Sequence, residues 1–504
     1  MNRAQHTREE ILNSTPRKGF FGHPKGLSTL FLTEFWERFS YYGMKAILVY
    51  YLYYSVAKGG FGLDEGVALQ IVSIYGTLIY MSGIIGGWIA DRITGTQHAV
   101  FYGGILIMIG HILLSLPNNL TMVMIALLFL ICGTGLLKPN ISTTVGELYD
   151  KNDARRDAAF TIFYMGINTG ALLSPLVTGY LQTRFNFHLG FLVAAIGMFC
   201  GLVIYVVTRK KYLGLAGLST PNPLTKQEIK KTSLYAGVVI ALVAIYLIIL
   251  QINHALTLQN FSLFITILGV ILPFVIIVNM LVSKDVTKVE RSRVLSYVPL
   301  FITAVAFWMI QEQGSTVLAS FADNKTQLDL GKATNGLIHF HVPAAWFQSF
   351  NPIFIVALAP VFAALWVKLG KFNPPTVHKF AIGTIVAGLS FIVMYIPLSG
   401  PHSLINPLWL ILSYLLITVG ELCISPVGLS TTTKLSPVSF TARMMSLWLL
   451  ADATAQGLNA QLVVVYTKIS QMDYFLYSGI VAIAIGVLLF ILSPLVKKGM
   501  KGVF

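Results

Sequence analysis

Apolar runs long enough to cross a bilayer as helices recur through the whole chain, and that recurrence restricts the fold more than any other feature. With approximate edges they fall at 27–54, 66–91, 98–116, 119–147, 157–183, 188–208, 234–253, 260–283, 294–322, 344–367, 378–398, 403–432, 442–467 and 472–496. Inside hydrocarbon a backbone N–H or C=O finds no water, so such a run closes its hydrogen bonds internally as a helix. The expectation is an all-α membrane protein with about 14 spans. Composition agrees: 11% of the residues are charged and 55% hydrophobic, against about 25% charged in an average soluble domain. A soluble enzyme is excluded. The net charge of +15 would point to nucleic acid in a soluble chain, but here it belongs to Lys and Arg in cytoplasmic loops, and no nucleic-acid partner is expected.

An even number of spans puts both termini on one side. With the N-terminus inside, about 27 basic residues fall in cytoplasmic loops and tails and about 5 outside. Arg209-Lys210-Lys211, Lys230-Lys231 and the stretch from Lys284 to Arg293 fall inside; the loop Pro117-Asn118-Asn119 and the loop from Gln251 to Asn260 fall outside and hold no Lys or Arg. The expected location is the cell membrane, multi-pass, with both termini cytoplasmic. The first 26 residues are polar and lack the apolar core of a signal peptide, so no cleaved leader is expected. Cys132, Cys200 and Cys423 all lie in apolar runs, and no disulfide framework follows.

Charged residues are spread unevenly over the spans. The first six carry the stretch near Glu34 and also Lys138; the last six carry Glu312 and Glu421; the pair between, 234–283, is nearly free of internal charge and flanked by basic linkers. This divides the chain into an N-terminal six-helix bundle (1–208), linkers with an inserted transmembrane hairpin (209–290) and a C-terminal six-helix bundle (291–504). The hairpin reads as a lipid-facing spacer. Two six-helix halves are the layout of the major facilitator superfamily, with a binding site between them at mid-membrane. The loop Gly86-Gly87-Trp88-Ile89-Ala90-Asp91-Arg92-Ile93-Thr94-Gly95 resembles that superfamily's signature. Gly87 would allow close helix packing, and Asp91 would pair with a neighbouring helix end.

The first span carries Glu34, Glu37, Arg38 and Lys45, although an ionised group at mid-bilayer costs roughly 2.5–3.5 kcal/mol on insertion scales. At about 100° per residue these four, with Tyr41 and Tyr42, share an arc of roughly 140°. Trp36, Phe39 and Ser40 point away. One face is therefore polar along its length and belongs against protein or a water-filled cavity. Depth follows from topology. Lys138 lies about 18 residues into an inward-running span, roughly 27 Å along it, near the level of Glu34. Two cross-bundle pairs result: Lys45 with Glu312 toward the outside, and Lys138 with Glu421 toward the inside. They are gates if they alternate and struts if permanent. Pro139 and Pro426, each close to a charge, favour gates.

A glutamate whose lysine partner comes and goes can take up a proton in one state and release it in another. Glu34, Glu37, Glu312 and Glu421 are the candidates. His111, alone in the third span, reads as a satisfied packing residue. Glu34, Glu37, Arg38, Phe39, Tyr41 and Tyr42 closely resemble the Glu-x-x-Glu-Arg-Phe-x-Tyr-Tyr motif of the proton-dependent oligopeptide transporters, within the major facilitator superfamily. Phe160-Thr161-Ile162-Phe163-Tyr164-Met165-Gly166-Ile167-Asn168-Thr169-Gly170 is similar to a second signature of that family. The resemblance implies proton coupling by Glu34, Glu37, Arg38 and Lys138, with Glu312 and Glu421 at the family's seventh- and tenth-span glutamates. It also implies a pocket of Tyr42, Tyr80, Asn168, Trp308, Asn351 and Trp448. Many members have Arg at the position of Lys45; Lys can pair with a carboxylate, but without the bidentate fork.

A short peptide is a zwitterion. Lys45 and Lys138 on one bundle and Glu421 on the other offer a cation for its carboxylate and an anion for its ammonium. Tyr42, Tyr80, Trp308 and Trp448 supply apolar pockets with polar tips. The expected function is proton-coupled symport of di- and tripeptides into the cell by alternating access, by a monomer in the bilayer and without a cofactor. A related carrier of nitrate or another small metabolite is the alternative; nitrate would leave Glu421 without an ammonium partner. There is no zincin motif, metal cluster or nucleophile with an orienting base, so no enzyme is expected.

Overall fold

Several of the long helices begin where a polar side chain takes up a backbone N–H that a first helical turn leaves free. Asp64, Asn119, Asn186 and Asn406 each accept at 2.9 Å, from the amides of Gly66, Met122, Leu189 and Leu408. The computed structural model describes residues 6–117, 119–150, 153, 155–333, 336–337, 339–400 and 404–502. Asn118 of the expected outer loop, and position 403 where one expected span begins, lie outside the described residues.

The long helices are α1 (Gly26–Tyr53), α2 (Glu65–Ile89), α3 (Thr96–Ser115), α4 (Leu120–Glu147), α5 (Arg155–Arg184), α6 (Phe187–Tyr212), α7 (Lys226–Ile252), α8 (Leu258–Val282), α9 (Lys288–Glu312), α10 (Phe350–Leu369), α11 (Thr376–Leu398), α12 (Pro407–Leu435), α13 (Thr441–Tyr466) and α14 (Gln471–Gly499). Isolated bridges aside, no strand forms among the described residues. By length and composition 12 of the described helical segments can cross a membrane. α1 and α13 are as long but are not among them; charged and polar side chains interrupt their apolar surface. This is a multi-pass membrane protein.

The single span expected over 294–322 is broken. α9 ends at Glu312, a 3-10 turn covers Gln313–Ser315, and a short helix runs over Val317–Lys325. The Gly314 carbonyl accepts from the Tyr414 hydroxyl at 2.9 Å and Gln313 Oε1 from the Tyr474 hydroxyl at 2.7 Å, so both groups are satisfied inside the protein. The break leaves Glu312 as the last residue of α9.

α1 packs on α5 and α6, and α3 on α4; in the later helices α11 packs on α12 and α14. The crossing of α2 with α4 is close because Gly86 meets the backbone of Gly135: a Cβ at Gly86 would sit 1.9 Å from that carbonyl oxygen. Gly86 therefore fills the packing role expected of Gly87, whose nearest neighbour would be Pro139 at 4.0 Å. In the same loop Arg92, not Asp91, makes the ion pair, with Glu228 at the start of α7 at 2.5 Å.

α7 has no buried residue. α8 departs from the expected spacer role: it packs on both α2 and α13. A ladder of neutral groups fixes it there. Gln70 donates to Gln259 Oε1 at 3.0 Å, Gln259 to Gln461 Oε1 at 3.1 Å, Gln461 to Ser262 and Thr266 at 2.9 Å, and Thr454 to the Gly269 carbonyl at 2.7 Å.

Between α1–α6 and α9–α14 the cross-links gather at one end. Tyr50 donates to the Ala319 carbonyl at 3.0 Å, Tyr53 and Tyr54 donate to the two oxygens of Asp323 at 2.7 and 2.6 Å, and Ser320 donates to Glu65. Trp346 and Ser349 donate to carbonyls of α5, each at 2.9 Å. Toward the opposite end the face of α2 at Gly83 is open, a Cβ there meeting nothing within 4 Å.

Candidate functional site

The polar face of α1 looks into the space between the two sets of helices. A cleft of about 210 Å³ free volume lies there. Tyr42, Lys45, Tyr80, Asn168, Trp308, Glu312, Asn351 and Glu421 all line it, so most residues named from the sequence meet at one place. Gln311, Gln348, Tyr164 and Tyr414 join them. Tyr164 lies within the second signature stretch; Gln311, Gln348 and Tyr414 are neutral, and nothing in the sequence distinguished them from packing residues.

At the cross-linked end Lys45 Nζ and a Glu312 oxygen stand 2.9 Å apart, with side chains 8% and 9% exposed. Tyr41 places its ring 5.9 Å from the same ammonium. A pair this dry holds only if its geometry is good, and removing one partner strands the other.

Lower on α1, Arg38 Nε lies 3.1 Å from Glu34 and also bonds Glu37. One guanidinium thus serves two carboxylates, all three deeply buried. Supply falls short of demand: Glu34 Oε2, Glu37 Oε1 and Arg38 Nη2 are buried without a hydrogen-bond partner.

The expected pair of Lys138 with Glu421 is not formed. Glu421 accepts from Asn351 Nδ2 at 2.9 Å. Lys138 instead holds its ammonium 4.2 Å from the centroid of the Tyr80 ring, a cation–π contact. The physical reason is the separation of the helices at this end: α4 and α12 do not approach there, and each charge takes the nearest polar group on its own side. Neither Lys138 nor Trp448 lines the cleft. Trp448 packs inside the later set, where a side chain at Gly428 would overlap its ring and Phe380 lies 6.3 Å away.

Asp452 on α13 is the residue that sequence reasoning missed. It is 4% exposed and accepts from Gln456 Nε2 at 2.9 Å. A charge within Leu447-Trp448-Leu449-Leu450-Ala451-Asp452-Ala453 is the signal that singled out Glu312 and Glu421, and it was available. His111 also differs from expectation: it is fully buried and neither ring nitrogen has a partner. Trp308 Nε1 and Gln311 Oε1, both at the cleft, are buried and unpartnered as well, which leaves a donor and an acceptor for a bound molecule. Among the described residues there is no cluster able to hold a metal ion.

The sequence profile of the POT family matches residues 97–487. An uncharacterized transporter of Bacillus subtilis (strain 168), YclF, is 53% identical over 98% of this chain and 99% of its own length. A di-/tripeptide transporter of Lactococcus lactis subsp. lactis (strain IL1403) is 44% identical with the same coverage, 98% and 99%. A crystal structure of a peptide transporter POT in complex with sulfate superimposes with a TM-score of 0.94 at 54% identity, covering 99% of this chain and 100% of that one.

Proposed function

The chain belongs to the POT family, and from that membership and the cleft we propose that it imports di- and tripeptides together with protons by alternating access. One observation carries the reading. Lys45 and Glu421, on α1 and α12, line a single cleft that Trp308, with its unpartnered Nε1, also lines. A zwitterion with a backbone amide matches that set; an anion alone does not. Lys45 and Lys138 serve the peptide carboxylate, Glu421 its ammonium, Asn168 and Asn351 its amide groups, and Tyr42, Tyr80 and Trp308 its side chains.

The chain spans the membrane about 14 times, as a six-helix bundle (1–208), an inserted hairpin (209–290) and a second six-helix bundle (291–504). Both termini are cytoplasmic, as the excess of basic residues in that set of loops favours. The cross-linked end is then the outer one, and the arrangement is the inward-facing state. Lys45 with Glu312, backed by the tyrosines on Asp323, forms the outer gate; Lys138 with Glu421 forms the inner gate of the opposite state. Glu34, Glu37 and Arg38 carry the proton coupling. The carrier works as a monomer in the bilayer.

Radiolabelled dialanine uptake into proteoliposomes tests this. Accumulation driven by an inward proton gradient supports it; no uptake, or uptake indifferent to pH and potential, overturns it.

A further inference from the structure

We propose that Asp452 is a proton-binding carboxylate of the transport cycle, the anion that faces Lys138 while the cytoplasmic end is open. The proposal rests on the transport reading above and goes beyond it by adding a group to the coupling machinery. The geometry runs along α2. The Tyr80 ring faces the Lys138 ammonium at 4.2 Å, and Gly76, one turn before it, meets Gln456 of α13, the hydrogen-bond partner of Asp452. α2 therefore sets a cation on α4 near an anion on α13, between the two sets of helices. Gly76 helps to set the position: it has no Cβ where the Gln456 amide sits, and that amide donates to Asp452.

Charge counting supplies the second argument. Around the cleft stand five carboxylates, Glu34, Glu37, Glu312, Glu421 and Asp452, against three cations, Arg38, Lys45 and Lys138. A buried anion without a cation is relieved by a proton. Arg38 and Lys45 are occupied, and Glu421 is held by Asn351. Asp452 shares its surroundings with Glu312 of α9, Tyr80 of α2, Tyr41 of α1 and Lys138 of α4. α8, packed on its other side, has no titratable side chain, and α12 brings Glu421. Lys138 is thus the cation left to Asp452. Taking up a proton forms one O–H bond on Asp452 and removes the charge facing Lys138, which frees the ammonium for Glu421. Releasing that proton to water reverses both changes.

Two measurements on the full-length protein in lipid test this. Infrared difference spectra between about pH 5 and 8 should contain a protonated-carboxyl band that Asp452→Asn removes, Asp452→Glu displaces and Glu421→Gln leaves. In the uptake assay, Asp452→Asn should lower proton-driven dialanine accumulation at least about tenfold, the factor that one pK unit of lost coupling carries. Counterflow should fall much less, and Asp452→Glu should recover accumulation. If the band is unchanged in both Asp452 variants, the proposal fails whether or not peptide is carried. If the band belongs to Asp452 but Asp452→Asn accumulates peptide as wild type does, it fails too, because that proton is outside the cycle. Should Asp452→Asn not fold, the displacement of the band in Asp452→Glu decides. Absence of wild-type dialanine uptake would instead overturn the transport reading, and the infrared result still reports on the proton.

Discussion

Replacing Glu312 by Gln should open the outer end. The substitution keeps the volume and removes the charge, leaving the Lys45 ammonium unpaired in a site where its side chain is 8% exposed. Breaking a buried pair by removing one partner costs about 3–5 kcal/mol. That penalty falls on the state in which the pair is closed, because an open outer end would return Lys45 to water. At 1.4 kcal/mol per factor of ten, the equilibrium should move toward the outward-open state by at least about 10²-fold. The Tyr41 ring, 5.9 Å from the ammonium, offsets a small part of this. Spin labels at Val56 and Leu408, both exposed, would report the change by electron–electron double resonance, with Cys132, Cys200 and Cys423 replaced. A longer distance should become populated in the variant at neutral pH. Adding Lys45→Ala removes the stranded charge and should restore most of the wild-type distribution. If Glu312→Gln leaves the distances as in wild type, the pair is not what holds this end shut.

Three further outcomes are expected. Glu421→Gln should weaken recognition of the free peptide N-terminus, read as a lost preference for free over N-acetylated dipeptides in competition; an unchanged preference would remove Glu421 from that role. Glu37→Gln, which resembles a permanently protonated carboxyl, should abolish proton-driven accumulation and keep counterflow, whereas Lys138→Ala should damage both; reconstituted protein assayed in both modes checks this. Gly86→Ala would place a Cβ 1.9 Å from the Gly135 carbonyl oxygen and should destabilise the protein by about 1–3 kcal/mol, while Gly83→Ala, with nothing within 4 Å, should be neutral in thermal unfolding in detergent.

Helix placement was legible because bilayer length and backbone hydrogen bonding leave a long apolar run few alternatives. The Lys45–Glu312 contact was legible for a related reason: two charges at one depth in different spans have little else to pair with. The break after Glu312 was not, since it depends on Tyr414 and Tyr474 reaching across to take up freed polar groups. Depth alone also paired Lys138 with Glu421. It gives height within the membrane and says nothing of which end of the molecule is open. Asp452 was open to the same reasoning as Glu421 and was passed over. The seat of α8 turned on Gln70, Gln259 and Gln461, which are unremarkable in sequence and meaningful only once three helices are brought together.

That ladder has a consequence for how such a molecule can move. The contacts that close the cross-linked end include Lys45 with Glu312 and the tyrosines on Asp323, and each depends on a carboxylate. The joint of α2, α8 and α13 is held by amides and hydroxyls, which do not titrate in the physiological range. A rise or fall in pH that loosens that end therefore leaves the Gln70–Gln259–Gln461 ladder as it was. If the ends move as proposed above, the ladder is placed to act as their axle, with α8 as a bearing cap over it.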